Sequence, residues 1–503
     1  MFAFSRINPL NLTPQSFVVF ALITHVVVWT SVRLLSEHHL HDDAIQLYFD
    51  SAYLQWGYAY SSSHPPLLAW LFHIWHSLIP PSHAGTYLLS QICVIGACLA
   101  IWQLSRHILR TPDLACLSVL LMAAILPHSY LTPKFNHNVI LLPLWSLAIL
   151  AFYYALHRNS WRAWTAWSVA ILATMLAKYT SLFLVLAMLA VLVCVPAYRH
   201  HLRNPRLYVA TTSALVLFLP HVFWVIDNEF TSVHYALDRA SSTASAYFST
   251  IGTQVRLLLS PFANMAPLVI FWWAAGRPTF ISHRRAFFRN NPQHLFLLII
   301  TVVPFIALFV LSVLLQWRVR TQWTMPFFLC VPIVLISLTS LTHKALPIHL
   351  WRRLATVWLV VTCVLASIHA GEFFLKPYVR SVPHTQQLPT EHLATILHER
   401  WHRAFARPVA YVASDVRTSG AVAFYGVDHP TPLRLPLSPP NKQLLRDNGG
   451  IVIKRGTSRA RTNNLCVSMR GVITLKALWA HDTTYTYAYA FIPPPELGLC
   501  PKP

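Results

Sequence analysis

The hydrophobic positions of this chain form long runs from near the N-terminus to about residue 371, and then the runs stop. A spanning helix needs about 20 mostly apolar residues. Runs of that kind centre on Phe17 to Leu35, Gly85 to Ile108, Leu114 to Tyr130, Val139 to Leu156, Trp161 to Ala177 and Leu182 to Tyr198. Further runs centre on Leu207 to Ile226, Val255 to Ala275, Leu295 to Leu315, Trp323 to Leu341 and Leu354 to His369. The pattern predicts about eleven spans.

Two segments decide that number. Leu67 to Ile79 lies between Pro65-Pro66 and Pro80-Pro81, and its about 20 Å of helix falls short of a hydrocarbon core of about 30 Å. It is expected to lie along the interface. Trp161 to Tyr198 is interrupted by one charge, Lys178, and as a single helix of about 57 Å it is too long to cross once. A hairpin at Lys178-Tyr179-Thr180-Ser181 resolves it. Past Gly371 the pattern predicts a helix around Glu391 to Ala406 and a strand Val409 to Ala413. A turn at Asn448-Gly449-Gly450 leads into Ile451-Val452-Ile453, and alternation over Thr484 to Phe491 reads as a half-buried strand. The expected fold is a polytopic α-helical membrane domain, residues 1–371, followed by a soluble α/β domain, residues 372–503.

Composition supports this division. Hydrophobic residues make up 55% and charged ones 11%, against a charged share of about a quarter in soluble domains. A soluble enzyme, a fibrous protein and a disordered chain are excluded. The 38 Lys and Arg against 16 Asp and Glu do not imply nucleic-acid binding here; they orient the chain. With the N-terminus in the cytoplasm, 15 basic residues of the membrane domain fall inside and 7 outside, as the positive-inside rule requires. An odd number of spans then places the C-terminal domain outside, in the periplasm of a Gram-negative cell. The first run lacks an A-x-A-like site and reads as a retained helix. Six cysteines lie in or beside spans, whereas Cys466 and Cys500 share the exported domain, where an oxidising compartment permits a disulfide.

The carboxylates distribute the other way. Glu37, Asp42, Asp43, Asp50, Asp227, Glu229 and Asp238 are outer, leaving Asp113 inside. Acid–base chemistry therefore belongs outside. The stretch His38 to Pro66 holds the adjacent pair Asp42-Asp43, then Tyr48, Asp50, Trp56-Gly57 and His64-Pro65-Pro66. Adjacent acids repel, so one is a candidate general base of raised pKa; the plain alternative is a solvated loop. His38, His39 and His41 beside the pair offer ligand types for a divalent metal. With 27 histidines in the chain, chance clustering is the simpler reading, so no metal ligand is assigned.

This order of residues is familiar. An acidic pair after the first span, then Tyr48, Trp56-Gly57 and His64-Pro65-Pro66-Leu67 before an apolar helix with Trp resembles the GT-C class of membrane glycosyltransferases. The likeness is to the family 39/83 group, which includes protein mannosyltransferases, the aminoarabinose transferase of lipid A and rhizobial core transferases. Lys178-Tyr179, Pro220-His221 with Trp224, and Arg320-x-x-Trp323-x-x-Pro326 fit the family's later motifs in the same order, and Tyr411, Asp415, Gly420 and Tyr425 fit its bacterial soluble domain. Many members have Asp-Glu where this chain has Asp42-Asp43, which leaves sugar and acceptor open.

The resemblance implies inverting transfer from a polyprenyl-phosphate sugar to a glycolipid or protein at the outer face of a bacterial inner membrane, with membrane lipids as further partners. Asp42 or Asp43 would be the base. Lys178, then Arg318 and Arg320, would meet the leaving phosphate, although an interfacial lysine also snorkels to water and the arginines also suit a helix end. Tyr48, His64, Asp227 and Glu229 are the substrate-binding candidates. Asp227 and Glu229 equally suit a solvated helix end, and His64 a loop-fixing hydrogen bond. A transporter of lipid-linked sugars is the alternative of another class; it predicts inverted repeats and broken helices with mid-membrane polar sites, and the sequence displays neither.

Overall fold

The computed structural model describes residues 13–37, 39–58, 64–240, 247–280, 291–315, 319–339, 341, 346–379, 388–458, 462, 465–477 and 483–499. Helix α1 (Pro14–Ser36) starts at Thr13, whose hydroxyl accepts from Ser16 N, with Pro14 at the first turn. Its two faces differ as a lipid-facing helix should: Val19, Phe20, Ile23 and Val27 are exposed, whereas Ala21, His25 and Trp29 are buried. Helices α2 (Asp42–Ser51) and α3 (Leu67–Leu78) follow in the loop between α1 and the next span. Then come α4 (His83–Leu109), α5 (Pro112–Ala124), α6 (His137–Arg158), α7 (Trp161–Ala177), α8 (Leu182–Cys194), α9 (Pro205–Asp227) and α10 (Thr231–Ala240). Helices α11 (Tyr247–Asn264), α12 (Ala266–Ala274), α13 (Pro292–Leu314), α14 (Val331–Ser337) and α15 (Ile348–Val379) complete the membrane part.

Among the described residues 7 helices are long and apolar enough to cross a membrane, or 8 if the pair Tyr179–Cys194 and Pro196–Arg203, bent by 104°, is one span. The other expected spans take shorter forms. The run Leu114 to Tyr130 ends as a helix at Ala124, before Pro127. Trp161 to Ala177 is a helix of 17 residues. Trp323 to Leu341 becomes a 3-10 turn over Thr321–Phe328 and the seven-residue α14, with Pro326 and Pro332 interrupting the ladder. α3 is a separate helix of 12 residues, and the expected break falls at Lys178, which is extended between α7 and a 3-10 turn at Tyr179–Ser181.

The core between helices is built from fully buried Trp29, Trp145, Trp164, Trp351 and Trp358 among aliphatic side chains. At one end of α1, buried Arg33 pairs with Glu37, whose other oxygen accepts from Tyr87 at 3.1 Å, while His369 lies 3.9 Å away. Burial without such partners would be costly. This cluster ties α1, α4 and α15 together.

The last span continues past Gly371 to Val379. The soluble part begins with α16 (Thr390–Phe405) and alternates β1 (Tyr411–Ser414), α17 (Val416–Tyr425), β2 (Thr431–Arg434), α18 (Pro439–Asn448) and β3 (Gly450–Arg455), then β4 (Met469–Lys476) and β5 (Thr484–Ile492). The sheet order is β2-β1-β3-β5-β4, parallel among β2, β1 and β3 and antiparallel at β5 and β4. Leu393, Leu397, Trp401 and Phe405 of α16 cover one face, and Leu445 of α18 packs on the other with Leu433 and Val452. Gly449, at φ +74°, makes the expected turn into β3. Cys466 is disulfide-bonded; its expected partner, Cys500, lies outside the described residues.

Helix α17 buries Val422 in the core between α16 and the sheet and turns its other side to the loop that holds α2. Leu40, Ala44 and Ile45 form one cluster with Tyr87, Ala421 and Phe424. Gly420 lies so close to α2 that a Cβ would sit 2.9 Å from the Ile45 carbonyl oxygen. The Tyr425 hydroxyl accepts from Leu40 N and meets His83 Nε2, both at 2.8 Å.

Candidate active site

Helix α2 begins where the acidic pair stands. His41 caps it, its Nδ1 accepting from Asp43 N at 3.2 Å, and two carboxylates in the first turn suit the positive end of a helix. That favourable placement alone would explain acids here. Their surroundings go further, because consecutive residues point about 100° apart around a helix. Asp42 turns toward the soluble domain, where Arg417 Nη1 lies 3.5 Å from its Oδ2. Asp43 turns toward the head of α6, where Asn136 Nδ2 donates to its Oδ2 at 3.1 Å.

Asn136 is held for this task. It is the N-cap of α6, its Oδ1 accepting from Asn138 N at 2.9 Å and Val139 N at 3.3 Å, which leaves its amide nitrogen for Asp43. One turn of polar residues then carries on: Lys178 donates to Asn138 Oδ1 and lies 5.6 Å over the Trp323 ring. Lys178 is only 7% exposed, so it is not a lysine reaching for bulk water. Lys134, just before the cap, donates to Gln322 at 3.4 Å.

The electrostatics separate the two acids. Burial, helped by the neighbouring Asp43, raises the Asp42 carboxyl above the ordinary range in spite of Arg417. Burial also acts on Asp43, but His41, Lys134, the Asn136 hydrogen bond and His64 together bring it below the ordinary range. The Asp43 side chain is 42% exposed, against 16% for Asp42. Burial pulls Lys178 down to about 7, opposed by Asp43, and it lowers Lys134.

Asp42, Asp43, Asn136, Asn138 and Lys178 line a cavity of about 950 Å³ together with His41, His64, Arg320, Gln322 and Arg417. Much of the remaining lining is apolar: Leu182 and Phe183 of α8, Phe218, Val222, Val225 and Ile226 of α9, and Leu308 and Leu311 of α13. The distant motifs of the sequence meet at its side. Tyr179 hydroxyl meets His221 Nε2 at 2.9 Å and Ser232 Oγ at 2.9 Å, and His221 Nδ1 donates to the Trp56 carbonyl at 2.6 Å. A Cβ on Gly57 would fall 2.2 Å from the Trp224 ring. The Trp-Gly, Lys-Tyr and Pro-His-x-x-Trp motifs are therefore parts of one wall.

The structure thus brings together Asp42, Asp43, Lys178, Arg320 and His64. His64 lies against His137 with ring centroids 4.0 Å apart and the ring planes tilted by 41°. It leaves out others. Tyr48 packs between His76 of α3 and Phe424 of α17, at 5.8 Å and 5.1 Å, away from the cavity, because α2 turns that side toward the docked domain. Asp227 and Glu229 are exposed at the end of α9 and are not among the cavity's lining residues. Arg318 and His38 lie outside the described residues. His39 is buried beside the Tyr425 ring at 5.6 Å, so it does not join the acidic pair, and no set of three His, Cys, Asp or Glu residues suited to a metal occurs among the described residues.

Sequence reasoning missed Lys134, Asn136, Asn138 and Arg417. The run Lys134-Phe135-Asn136-His137-Asn138 was readable as a cap and polar cluster at the mouth of a span. No local signal couples Arg417 to an acid 375 residues earlier (417 − 42).

The comparisons with known proteins fit this geometry. The profile of the family described as Dolichyl-phosphate-mannose-protein mannosyltransferase matches residues 63–224. Lipopolysaccharide core galacturonosyltransferase RgtA of Rhizobium johnstonii is 24% identical over 419 residues, 81% of this chain and 80% of that protein. RgtB of the same organism, bearing the same description, is 22% identical over 409 residues, 80% of each. The structure of ArnT from Cupriavidus metallidurans bound to undecaprenyl phosphate superposes with a TM-score of 0.58 at 13% identity, over 94% of this chain and 98% of that one. The chain is a membrane glycosyltransferase of the GT-C class. The GT-C fold, its multi-pass helices and its C-terminal sheet domain are shared with the ArnT structure across almost the whole length, and a transporter is set aside.

Proposed function

We propose that this GT-C enzyme moves a glycosyl group from a polyprenyl-phosphate donor to a glycolipid of the bacterial envelope, with inversion, and that Asp43 is the base. The observation that carries the reading is the cavity's divided lining: acidic and basic side chains together with a broad set of apolar ones. A lipid phosphate has that same division. The acceptor hydroxyl attacks the anomeric carbon, its proton passes to Asp43, and the carbon–oxygen bond to phosphate breaks with the electron pair leaving on the phosphate. Lys178 and Arg320 meet the charge that develops there, in a site where fixed cations are worth more than in water. Asp42 helps hold the pair, and His64 shapes the loop beside it.

A hexuronic acid is the sugar we favour. The relatives RgtA and RgtB are named galacturonosyltransferases, and the cavity's cations Lys178, Arg320 and Arg417 outnumber its two carboxylates, which suits a donor carrying a second negative charge. The reading places the membrane domain at residues 1–371 in the inner membrane with a cytoplasmic N-terminus, and residues 372–503 with the cavity mouth in the periplasm. Mass spectrometry of envelope glycolipids from a deletion strain tests it. The wild-type gene should restore a sugar-sized mass, increased by a hexuronic acid, and Asp43→Asn should not. Equal restoration by both would overturn the reading.

A further inference from the structure

Among the described residues the soluble domain reaches the site through one side chain. α17 starts at Asp415, whose carboxylate accepts from Arg417 N and Thr418 N, each at 3.1 Å, so Arg417 stands on the first turn of a capped helix. Its guanidinium lines the cavity and faces Asp42 at 3.5 Å. The placement is not left to a flexible tether. Gly420 lies against the backbone of α2, the Tyr425 hydroxyl holds Leu40 N and His83, and the Tyr53 hydroxyl donates to the Pro432 carbonyl at 2.5 Å. These contacts fix α17 on α2, and so fix Arg417 over the acidic pair.

We propose that Arg417 is a positioning residue: through it the docked soluble domain holds the Asp42 side chain on its own side of α2, turned away from Asp43, so that Asp43 alone takes the acceptor proton. The inference rests on the proposed transferase reading and deepens it. Two adjacent carboxylates at one helix end share protons unless something distinguishes them. The charged groups acting on Asp42 are Arg417 from α17 and Asp43 from its own helix, with His41 next in sequence. Without Arg417, Asp42 holds its proton to higher pH and offers it to Asp43 as a hydrogen bond, and a base that accepts such a bond is a weaker base.

The test compares Arg417→Gln and Arg417→Lys in the full-length enzyme by rate–pH profile, using a polyprenyl-phosphate hexuronate and purified lipid A as substrates. A part-exposed pair contributes up to about 1 kcal/mol. The loss in kcat for Arg417→Gln should therefore be about three- to fivefold larger near pH 5.5 than near pH 8, with Arg417→Lys restoring the wild-type profile. In an Asp42→Asn background, Arg417→Gln should add no further loss at low pH. A uniform loss at every pH, unrescued by Lys, would overturn the positioning role, as would an unchanged profile. Difference infrared titration of the carboxyl band reads the same pair without turnover. Arg417→Gln should carry a protonated carboxyl to higher pH than wild type, so a failure of the substrate assignment is distinguishable from a failure of this proposal; superimposable titrations would overturn it.

Discussion

Asp43→Asn is the sharpest probe of the site. The change is isosteric, and the new amide oxygen still accepts from Asn136 Nδ2, now at 3.1 Å from Asp43, so α6 and its cap stay in place. Two things are removed. One is the proposed proton acceptor, and a positioned general base is worth about 10²–10⁴ in rate, or about 2.7–5.5 kcal/mol of barrier. The other is the anion that opposes the effect of burial on Lys178; without it the lysine spends more time neutral at pH 7 and donor phosphate binds less well. kcat should therefore fall about 10²–10⁴-fold and donor KM should rise. Asp42→Asn should cost about tenfold or less, because it removes a partner of Arg417 and no proton acceptor. The assay is single-turnover transfer from a polyprenyl-phosphate sugar in proteoliposomes, read by mass spectrometry of the acceptor lipid. An Asp43→Asn enzyme that keeps more than about a tenth of wild-type kcat, or an Asp42→Asn enzyme that loses more than it, would refute the assignment of roles.

Further outcomes follow from the same geometry. Asp43 is held below the ordinary carboxylate range and Lys178 is brought down to about 7, so activity should persist in mildly acid buffer and fall as pH rises through 7, when Lys178 gives up its proton. Lys178→Arg, which stays charged, should move that alkaline limb upward in a rate–pH profile; an identical limb would show that Lys178 does not carry it. Gly57→Ala places a methyl 2.2 Å from the Trp224 ring, and this overpacking should cost about 1–3 kcal/mol, seen as a lower melting temperature in detergent. Asp227→Asn combined with Glu229→Gln should leave kcat and KM within about twofold of wild type, as expected of exposed charges; a larger effect would return them to the site. Tyr425→Phe removes a hydroxyl that serves Leu40 N and His83. It should weaken docking by about 1–3 kcal/mol, measured as faster hydrogen exchange in α17.

Much of this protein follows from local order along the chain. The apolar runs, the break at Lys178, the short α3 and the strands after Gly449 depend on period, length and turn chemistry, which neighbouring residues decide. Asp42-Asp43 and Lys178 were visible for a related reason: charges are scarce in this chain and stand out against apolar flanks. Where the apolar runs carry prolines, as at Pro127, Pro326 and Pro332, hydropathy alone predicts a span and the missing backbone donor shortens it. What only the tertiary structure decided is which groups meet. Asn136 becomes a partner of Asp43 because α6 starts beside α2, and Tyr48 leaves the site because α17 docks on that face. The two acids, identical in sequence terms, become unlike because a helix turns them about 100° apart, one toward the amide and lysines of the membrane helices and one toward an arginine of the soluble domain. Electrostatic environment is a property of distances in space, and no run of neighbours in the sequence holds it.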